Sequence, residues 1–442
     1  MVLYVVNQYP NLSETFIARE IAGLRQYKID VNVLAIRPST HNDKNRQSPQ
    51  SFLRRPIKGD RTAGECHPPI LHTPSAFKPA SFIAQVYFLC RKPLTYCSLC
   101  GQIALRESTS PLGICRGFVR FMKAVAIARQ IAALKPSRIH AHFIHITADC
   151  AQVISTLLEI PYSVSAHAQD IYTQRGRTIR QRLNGTDFVI ACTKTGANYL
   201  HRMIGRYSCT HEDEECENSR TASGQTSCKK NRKKAMQIGD IHVIHHGIPV
   251  SEFPKATPPH VPHITAIGRL VPKKGFDVLV EACAQLDRHN IIFKCTIVGG
   301  GPEHPQLQNM INAYGLNKKV HLVGPQTQET IRQLLQHTTI FALPSIITAD
   351  GDRDGLPNVI LEAMACGLPI VTTRASAANE AVTNKQNGIL VRPESFDHFA
   401  SALRHLIENP EYARQLGRAG LQRICQFDIT QTIPPLAILI TR

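Results

Sequence analysis

The sequence predicts an α/β protein built from two doubly wound parallel sheets. Three observations carry that expectation. Short apolar and β-branched runs alternate with stretches of helical period, as strands covered on both faces require. Two such arrays follow one another, one before about residue 248 and one after it. A chain of 442 residues is also long enough for two cores rather than one.

Strands are expected at Val2–Asn7, Val31–Ile36, Arg138–His142, Tyr162–Ala166, Phe188–Ala191 and His242–His245 in the first array. The second array reads as His263–Ile267, Ile292–Val298, Val320–Val323, Ile340–Leu343 and Ile370–Thr373. Helical patterns fall between them, notably Glu14–Gln26, Phe276–Leu286, Pro305–Tyr314, Thr327–Gln336 and Phe396–Ile407. Residues 38–115 break the alternation, rich in Pro, Ser and basic residues. A structureless loop of that length is unusual in a compact domain, so helix is expected within Ser81–Leu89 and Val119–Leu134. Residues 208–237 read as a polar surface insertion. Near the end, Pro434-Pro435 reads as a helix break after Phe427-Asp428.

Hydrophobic content of 43% is ordinary for a globular protein. No apolar run approaches ~20 residues, so no transmembrane helix is expected. Val2-Leu-Tyr-Val-Val6 enters directly as a strand with no basic leader, and a signal peptide is not expected. The formal net charge is +18, with basic concentrations in 44–61 and 229–234. That balance favours phosphorylated ligands, nucleic acid or an anionic membrane. Zinc-finger spacing, an aromatic RNA-binding signature and a basic recognition helix are all missing, which argues against nucleic acid. The 14 cysteines form no framework, since Cys97 and Cys100 are a lone C-x-x-C. Cys192, Cys283, Cys295 and Cys366 sit in apolar contexts as small hydrophobes, so a reducing, cytoplasmic protein without a structural metal is expected.

Three motifs of the second array carry chemistry. Ile264-Thr-Ala-Ile-Gly-Arg-Leu-Val-Pro-Lys-Lys-Gly-Phe276 runs from a strand to a helix start. Gly268 lets backbone approach closely, and Arg269 and Lys274 offer two cations suited to a diphosphate. Ile297-Val-Gly-Gly-Gly-Pro-Glu303 opens a buried strand into a glycine turn, which alone is weak evidence. In Asp350-Gly-Asp-Arg-Asp-Gly-Leu-Pro-Asn-Val-Ile-Leu-Glu-Ala-Met-Ala-Cys-Gly-Leu-Pro369, Asp354 stands beside a glycine turn and Glu362 within an apolar helix. Pro357 suits the first helical position and Gly367 the stop. A lone carboxylate on such a helix needs a polar partner, such as a ligand hydroxyl. The helix start suits a phosphate. Asp350-Gly-Asp352 reads as loop chemistry rather than a metal site.

In this order and spacing the three motifs resemble the donor-binding domain of the family 4 glycosyltransferases, retaining enzymes of the GT-B fold, over nearly all of residues 262–408. The resemblance implies two Rossmann-like domains facing a cleft. It implies that Arg269 and Lys274 hold the donor diphosphate, that Asp354 contacts the sugar and that Glu362 contacts the ribose. Gly268, Gly300, Gly355, Leu356, Pro357 and Asn358 complete the implied nucleotide-sugar site. Asp354 is one methylene shorter than the family's usual Glu, and Ala375-Ser-Ala-Ala378 lacks a glycine often found there.

In the first array, Tyr9-Pro-Asn-Leu-Ser-Glu-Thr-Phe-Ile-Ala-Arg-Glu20 resembles a branch from bacterial exopolysaccharide and colanic-acid-type pathways. Ser13 is a credible helix N-cap there. His140-Ala-His-Phe143 and Ser165-Ala-His-Ala-Gln-Asp-Ile171 each end a strand with histidine. The resemblance puts His167 by the donor sugar, with Asp170 nearby. His140, His142, His245 and His246 read as structural.

The expectation is therefore a metal-independent retaining glycosyltransferase. It moves a sugar from a UDP- or GDP-linked donor, with no separate cofactor, to a glycan or polyisoprenyl-linked acceptor in cell-surface polysaccharide synthesis. Residues 1–248 form the acceptor-side domain, 249–425 the donor domain, and 426–442 a tail returning to the first. The expected location is cytoplasmic, with peripheral contact to the anionic inner membrane face. The alternatives are a GT-B nucleotide-sugar epimerase, a sugar-phosphate synthase, or a non-catalytic basic protein that binds polyanions.

Overall fold

The computed structural model describes residues 1–10, 14–38, 68–76, 78–106, 110–205 and 237–442. Ser13, much of the 38–115 segment and nearly all of 208–237 lie outside the described residues. The chain divides into two compact units, 1–244 with 436–442, and 245–435.

The first unit contains β1 (Val2–Val6), α1 (Thr15–Gln26), β2 (Val31–Ala35), β3 (Ile70–His72), α2 (Pro79–Arg91), α3 (Pro93–Ala104) and α4 (Pro111–Leu134). It continues with β4 (Arg138–His142), α5 (Ile146–Leu158), β5 (Tyr162–Ala166), α6 (Ala168–Tyr172), α7 (Gly176–Leu183), β6 (Thr186–Ala191), α8 (Lys194–Gly205) and β7 (Ile238–Val243). Its seven strands are ordered β3-β2-β1-β4-β5-β6-β7, and every pair is parallel. Strand order reverses between β1 and β4, the kind of switch point where open α/β sheets receive ligands at the strands' carboxyl ends.

The second unit contains β8 (His263–Ile267), α9 (Phe276–Arg288), β9 (Lys294–Val298), α10 (His304–Ala313), β10 (Val320–Leu322), α11 (Gln328–Gln336) and β11 (Ile340–Leu343). Then follow α12 (Asn358–Ala365), β12 (Ile370–Thr373), β13 (Ile389–Val391), α13 (Phe396–Glu408), α14 (Pro410–Ile424) and the first half of α15 (Ile429–Thr441). The order is β10-β9-β8-β11-β12-β13, again all parallel. The switch point falls between β8 and β11. Two Rossmann-like parallel sheets, as the sequence predicts, thus make the fold. Strands such as β1 and β11 are wholly buried, which is why their sequences read as unbroken apolar runs.

One expectation is overturned. Pro434 and Pro435 do not break the last helix, since α15 continues through both. The Asp428 carboxylate secures its start by accepting from the Thr430 N–H at 2.8 Å and the Thr430 hydroxyl at 2.7 Å. Beyond the prolines Leu436, Ala437 and Ile440 are buried, so packing outweighs the two missing N–H donors. Residues 436–442 belong to the first unit. There the Ile440 carbonyl accepts from Arg138 Nε at 3.1 Å. A smaller correction concerns Pro357, which is the N-cap of α12 rather than its first helical residue.

A buried polar knot ties α5 and α7 together. Asp149 accepts from Arg106 Nη1 at 2.5 Å and from Arg182 Nε and Nη2 at 2.8 and 2.9 Å. The same arginines reach Gln152 Oε1 at 2.8 Å and Gln174 Oε1 at 2.6 Å. Burial alone would raise the Asp149 carboxyl, but Arg182 and then Arg106 overcome it and hold it below its ordinary value.

Candidate active site

In the second unit the motif residues gather where β8, β9 and β11 end. The β8 loop and the β9 glycine turn lie backbone against backbone. Gly268 N–H donates to the Val298 carbonyl at 2.9 Å, Leu270 N–H to Gly300 at 3.0 Å and Glu303 N–H to Leu270 at 3.1 Å. That approach requires glycine. A Cβ on Gly299 would sit 1.8 Å from the Gly268 carbonyl oxygen, and one on Gly301 would sit 2.3 Å from that of Leu270. Both residues also have positive φ, 145° and 159°.

Lys274 reaches from this loop to the segment after β11. Its Nζ donates to Asp354 Oδ2 at 2.7 Å, and the two side chains are only 12% and 11% exposed. Ser345 Oγ donates to the same oxygen at 3.1 Å. The neighbouring Lys273 pairs with Asp352 at 3.1 Å, so Asp350-Gly-Asp352 is engaged within its own loop, where Asp352 N–H donates to Asp350 at 3.3 Å. Arg269 is exposed. Gly355 anchors the segment after β12 by accepting from Ala377 N–H at 3.1 Å, and Ala375 and Ala378 are buried.

Leu356 and Pro357 lead directly into α12. The helix ends as its sequence indicates. Gly367 adopts φ 78°, and its N–H donates to Met364 at 2.9 Å while that of Leu368 donates to Ala363 at 3.1 Å. That is a Schellman stop. Glu362 is 2% exposed on an otherwise apolar helix. Asn358 Oδ1, at the helix start, is buried without a hydrogen-bond partner among the described residues. Burial, aided by Glu362 one turn away, pushes the Cys366 thiol up to about 12, so it serves as a hydrophobe.

His167 belongs to the first unit, apart from the other expected site residues. It ends β5 and N-caps α6. Asp170 Oδ1 accepts from the His167 N–H at 2.9 Å and Oδ2 from the Ile144 N–H. Burial outweighs these donors and pushes Asp170 up to about 7. The His167 ring lies against Phe143, centroids 4.1 Å apart, and contacts the nitrogen of a second histidine, His142 Nδ1, at 3.4 Å. His140 behaves as the structural residue its sequence suggests. Its ring nitrogens meet the Ser163 and Ser165 hydroxyls at 2.8 and 2.9 Å, and burial lowers it to about 3. Glu20, His140 and His142 bring three potential metal donors within 4.8 Å of one another. Because both nitrogens of His140 are taken by serine hydroxyls, the trio is not a ligand set.

Sequence reasoning missed Ser345, Glu20, His142 and Cys192 as site neighbours. Only their strand-end and helix positions hinted at them.

Two Rossmann-like parallel sheets, the second with a glycine turn, a cation–carboxylate pair and an acidic helix beside its switch point, give the GT-B architecture that the sequence predicts. The family model "Glycosyl transferases group 1" matches residues 250–423, within the second unit. An Escherichia coli K12 protein named as a colanic acid biosynthesis glycosyltransferase, WcaL, is 35% identical over 158 residues, 35% of this chain and 39% of its own. Amylovoran biosynthesis glycosyltransferase AmsK of Erwinia amylovora is 38% identical over 143 residues, 32% of this chain and 35% of its own. The chain thus spans about two fifths or less of the length of these curated relatives. Across the whole chain the fold is similar to Anabaena Alr3699/HepE, solved with UDP and glucose, at TM-score 0.68 and 17% identity, covering 100% of this chain and 99% of that one. It is also similar to sucrose-phosphate synthase of Thermosynechococcus elongatus, at TM-score 0.67 and 16% identity, covering 100% and 98%.

Proposed function

We propose that the protein is a retaining, metal-independent glycosyltransferase of cell-surface polysaccharide synthesis. It takes a sugar from a UDP- or GDP-linked donor to a glycan or lipid-linked acceptor. The observation that carries this reading is the Lys274–Asp354 pair and the Gly299–Gly301 turn at the carboxyl ends of neighbouring strands, with the Glu362 helix following β11, inside the matched domain. We assign 249–425 to donor binding and 1–248, with the 426–442 tail, to the acceptor side. Arg269 and Lys274 hold the diphosphate and stabilise it as it leaves. Gly268, Gly300, Gly355, Leu356, Pro357 and Asn358 line the nucleotide-sugar, Glu362 receives the ribose, and Asp354 and His167 face the sugar. The acceptor hydroxyl attacks on the face that the nucleotide leaves. The neighbour solved with UDP and glucose supports a uridine donor, and a GDP-mannose-dependent relative of Mycolicibacterium smegmatis, 34% identical over 160 residues, supports a guanosine one.

Calorimetry with UDP, GDP and their sugar conjugates tests this. One nucleotide should bind saturably, and Glu362→Gln should weaken it by about 10-fold or more, as expected for a lost charge-assisted hydrogen bond of 1.5–3 kcal/mol. If no nucleotide binds while DNA or anionic vesicles do, the polyanion-binding reading replaces it.

Membrane contact is part of the same reading. No helix among the described residues is long and apolar enough to cross a membrane. On α2, however, Phe82, Ile83, Val86 and Leu89 are exposed along one stripe, and Leu94 of α3 is 87% exposed. Lys78, Arg91 and Lys92 flank them. An exposed apolar stripe with basic neighbours suits an anionic interface. The protein should co-sediment with phosphatidylglycerol vesicles but not with phosphatidylcholine vesicles, and Phe82→Ser with Ile83→Ser should lower binding several-fold. Equal recovery with both vesicle types, or no effect of the pair, would count against this surface.

A further inference from the structure

A buried chain of polar contacts runs into His167 from the interior of the first unit. Glu20 of α1 accepts from the Tyr4 hydroxyl at 2.7 Å, and the same oxygen lies 3.3 Å from His142 Nε2. His142 Nδ1 lies 3.4 Å from His167 Nε2, and His167 Nδ1 lies 3.6 Å from Cys192 Sγ. The members sit at the ends of β4, β5 and β6, beside the reversal of strand order. Phe16 and Phe143 pack on the imidazoles.

With both imidazoles neutral, one assignment of protons satisfies these contacts. An ionised carboxylate only accepts, so His142 must present its N–H at Nε2. A neutral imidazole has one donor and one acceptor nitrogen, so His142 Nδ1 accepts and His167 Nε2 donates to it. His167 Nδ1 is then an acceptor, which the Cys192 thiol can serve. Burial pushes that thiol well above its ordinary value, keeping its proton in place. Burial also works to raise Glu20, but His142, His140 and the Tyr4 hydroxyl outweigh it and hold it at about 2. The Tyr4 hydroxyl already donates to that carboxylate, which accepts at this end of the chain.

We propose that Glu20 and His142 are positioning residues that fix His167 as its Nε2–H tautomer, leaving Nδ1 as its acceptor. They orient the ring as a buried carboxylate orients a catalytic histidine. The tautomer assignment needs no ligand. Its consequence for transfer rests on the function proposed above.

The two parts are tested separately. Two-bond proton–nitrogen NMR of the full chain labelled at histidine reads each tautomer, with His142→Gln and His167→Gln identifying the two signals. The expected result is a single Nε2–H form for both residues, and a mixture of forms at His167 in Glu20→Gln, whose amide can donate or accept. An Nδ1–H form of His167 in the unsubstituted protein, or an unchanged single form in Glu20→Gln, would overturn the assignment. In turnover assays Glu20→Gln and His142→Gln should lower kcat by about 10–100-fold, the range for residues that orient a functional histidine. KM for the donor should stay constant. Unaltered kcat, with nucleotide binding intact, would overturn the role of the chain in transfer while leaving the donor-site reading in place.

Discussion

Lys274→Ala is expected to lower sugar transfer by about 10²–10³-fold, equivalent to ~2.7–4 kcal/mol of lost charge stabilisation. The cation comes from the 3₁₀ turn Pro272–Lys274, and its amine is already directed at Asp354, 2.7 Å away. A side chain so placed loses little freedom when charge builds on a departing diphosphate, so its effect belongs to the transition state rather than to donor affinity. Lys274→Arg should recover only part of the rate, because a guanidinium fork is wider than the point charge it replaces. Asp354→Asn separates two contributions. It frees Lys274 from its counter-charge and removes the carboxylate that we assign to the sugar. Rates measured as nucleotide release over a range of donor concentrations decide the matter. A turnover within twofold of the unsubstituted protein would remove Lys274 from the chemistry.

Asp149→Ala should cost about 3–5 kcal/mol of stability, since it strands two buried guanidinium groups without their counter-charge. Arg106 and Arg182 both approach that one carboxylate from the interior. The measurement is urea unfolding of the intact chain. A loss below about 1 kcal/mol would mean that water or Gln152 and Gln174 already satisfy the arginines. The pH dependence has a definite sign. Asp149 is lowered in the folded protein, so the folded state binds its proton less readily than the unfolded one. Its stabilisation is complete above the ordinary carboxylate value of about 4 and is lost as the pH falls through its own lower value. Asp149→Asn should flatten that acid limb.

Legibility in the sequence followed burial and locality. Arg138–His142, Tyr162–Ala166, His263–Ile267, Ile340–Leu343 and Ile370–Thr373 are strands with the expected limits because both faces are covered and turn residues bound them. By contrast β3 is three residues long and largely exposed, and β13 is as short, so neither is long enough for its pattern to stand out. β7 begins earlier than expected because it is a half-exposed edge strand whose start, Ile238-Gly-Asp240, breaks the apolar signal. The three motifs of the second array were legible as motifs because each is contiguous. The pairing of Lys274 with Asp354 was not, since it depends on how the loops after β8 and β11 meet. Glu20, His142 and Cys192 were less legible still. Each is an ordinary residue until parallel register brings β4, β5 and β6 side by side, and pattern alone classed His142 as structural.

The glycine contacts between the loops after β8 and β9 have an engineering consequence. With Gly299 and Gly301 seated on the Gly268 and Leu270 carbonyls, the two loops behave as one machined part rather than two exchangeable ones. Swapping either loop alone from a relative of different donor preference would introduce backbone collisions before it changed any contact to a sugar. The transplantable cassette is the continuous stretch from Gly268 to Glu303, and a library that randomises only one side of that joint would return mostly misassembled variants.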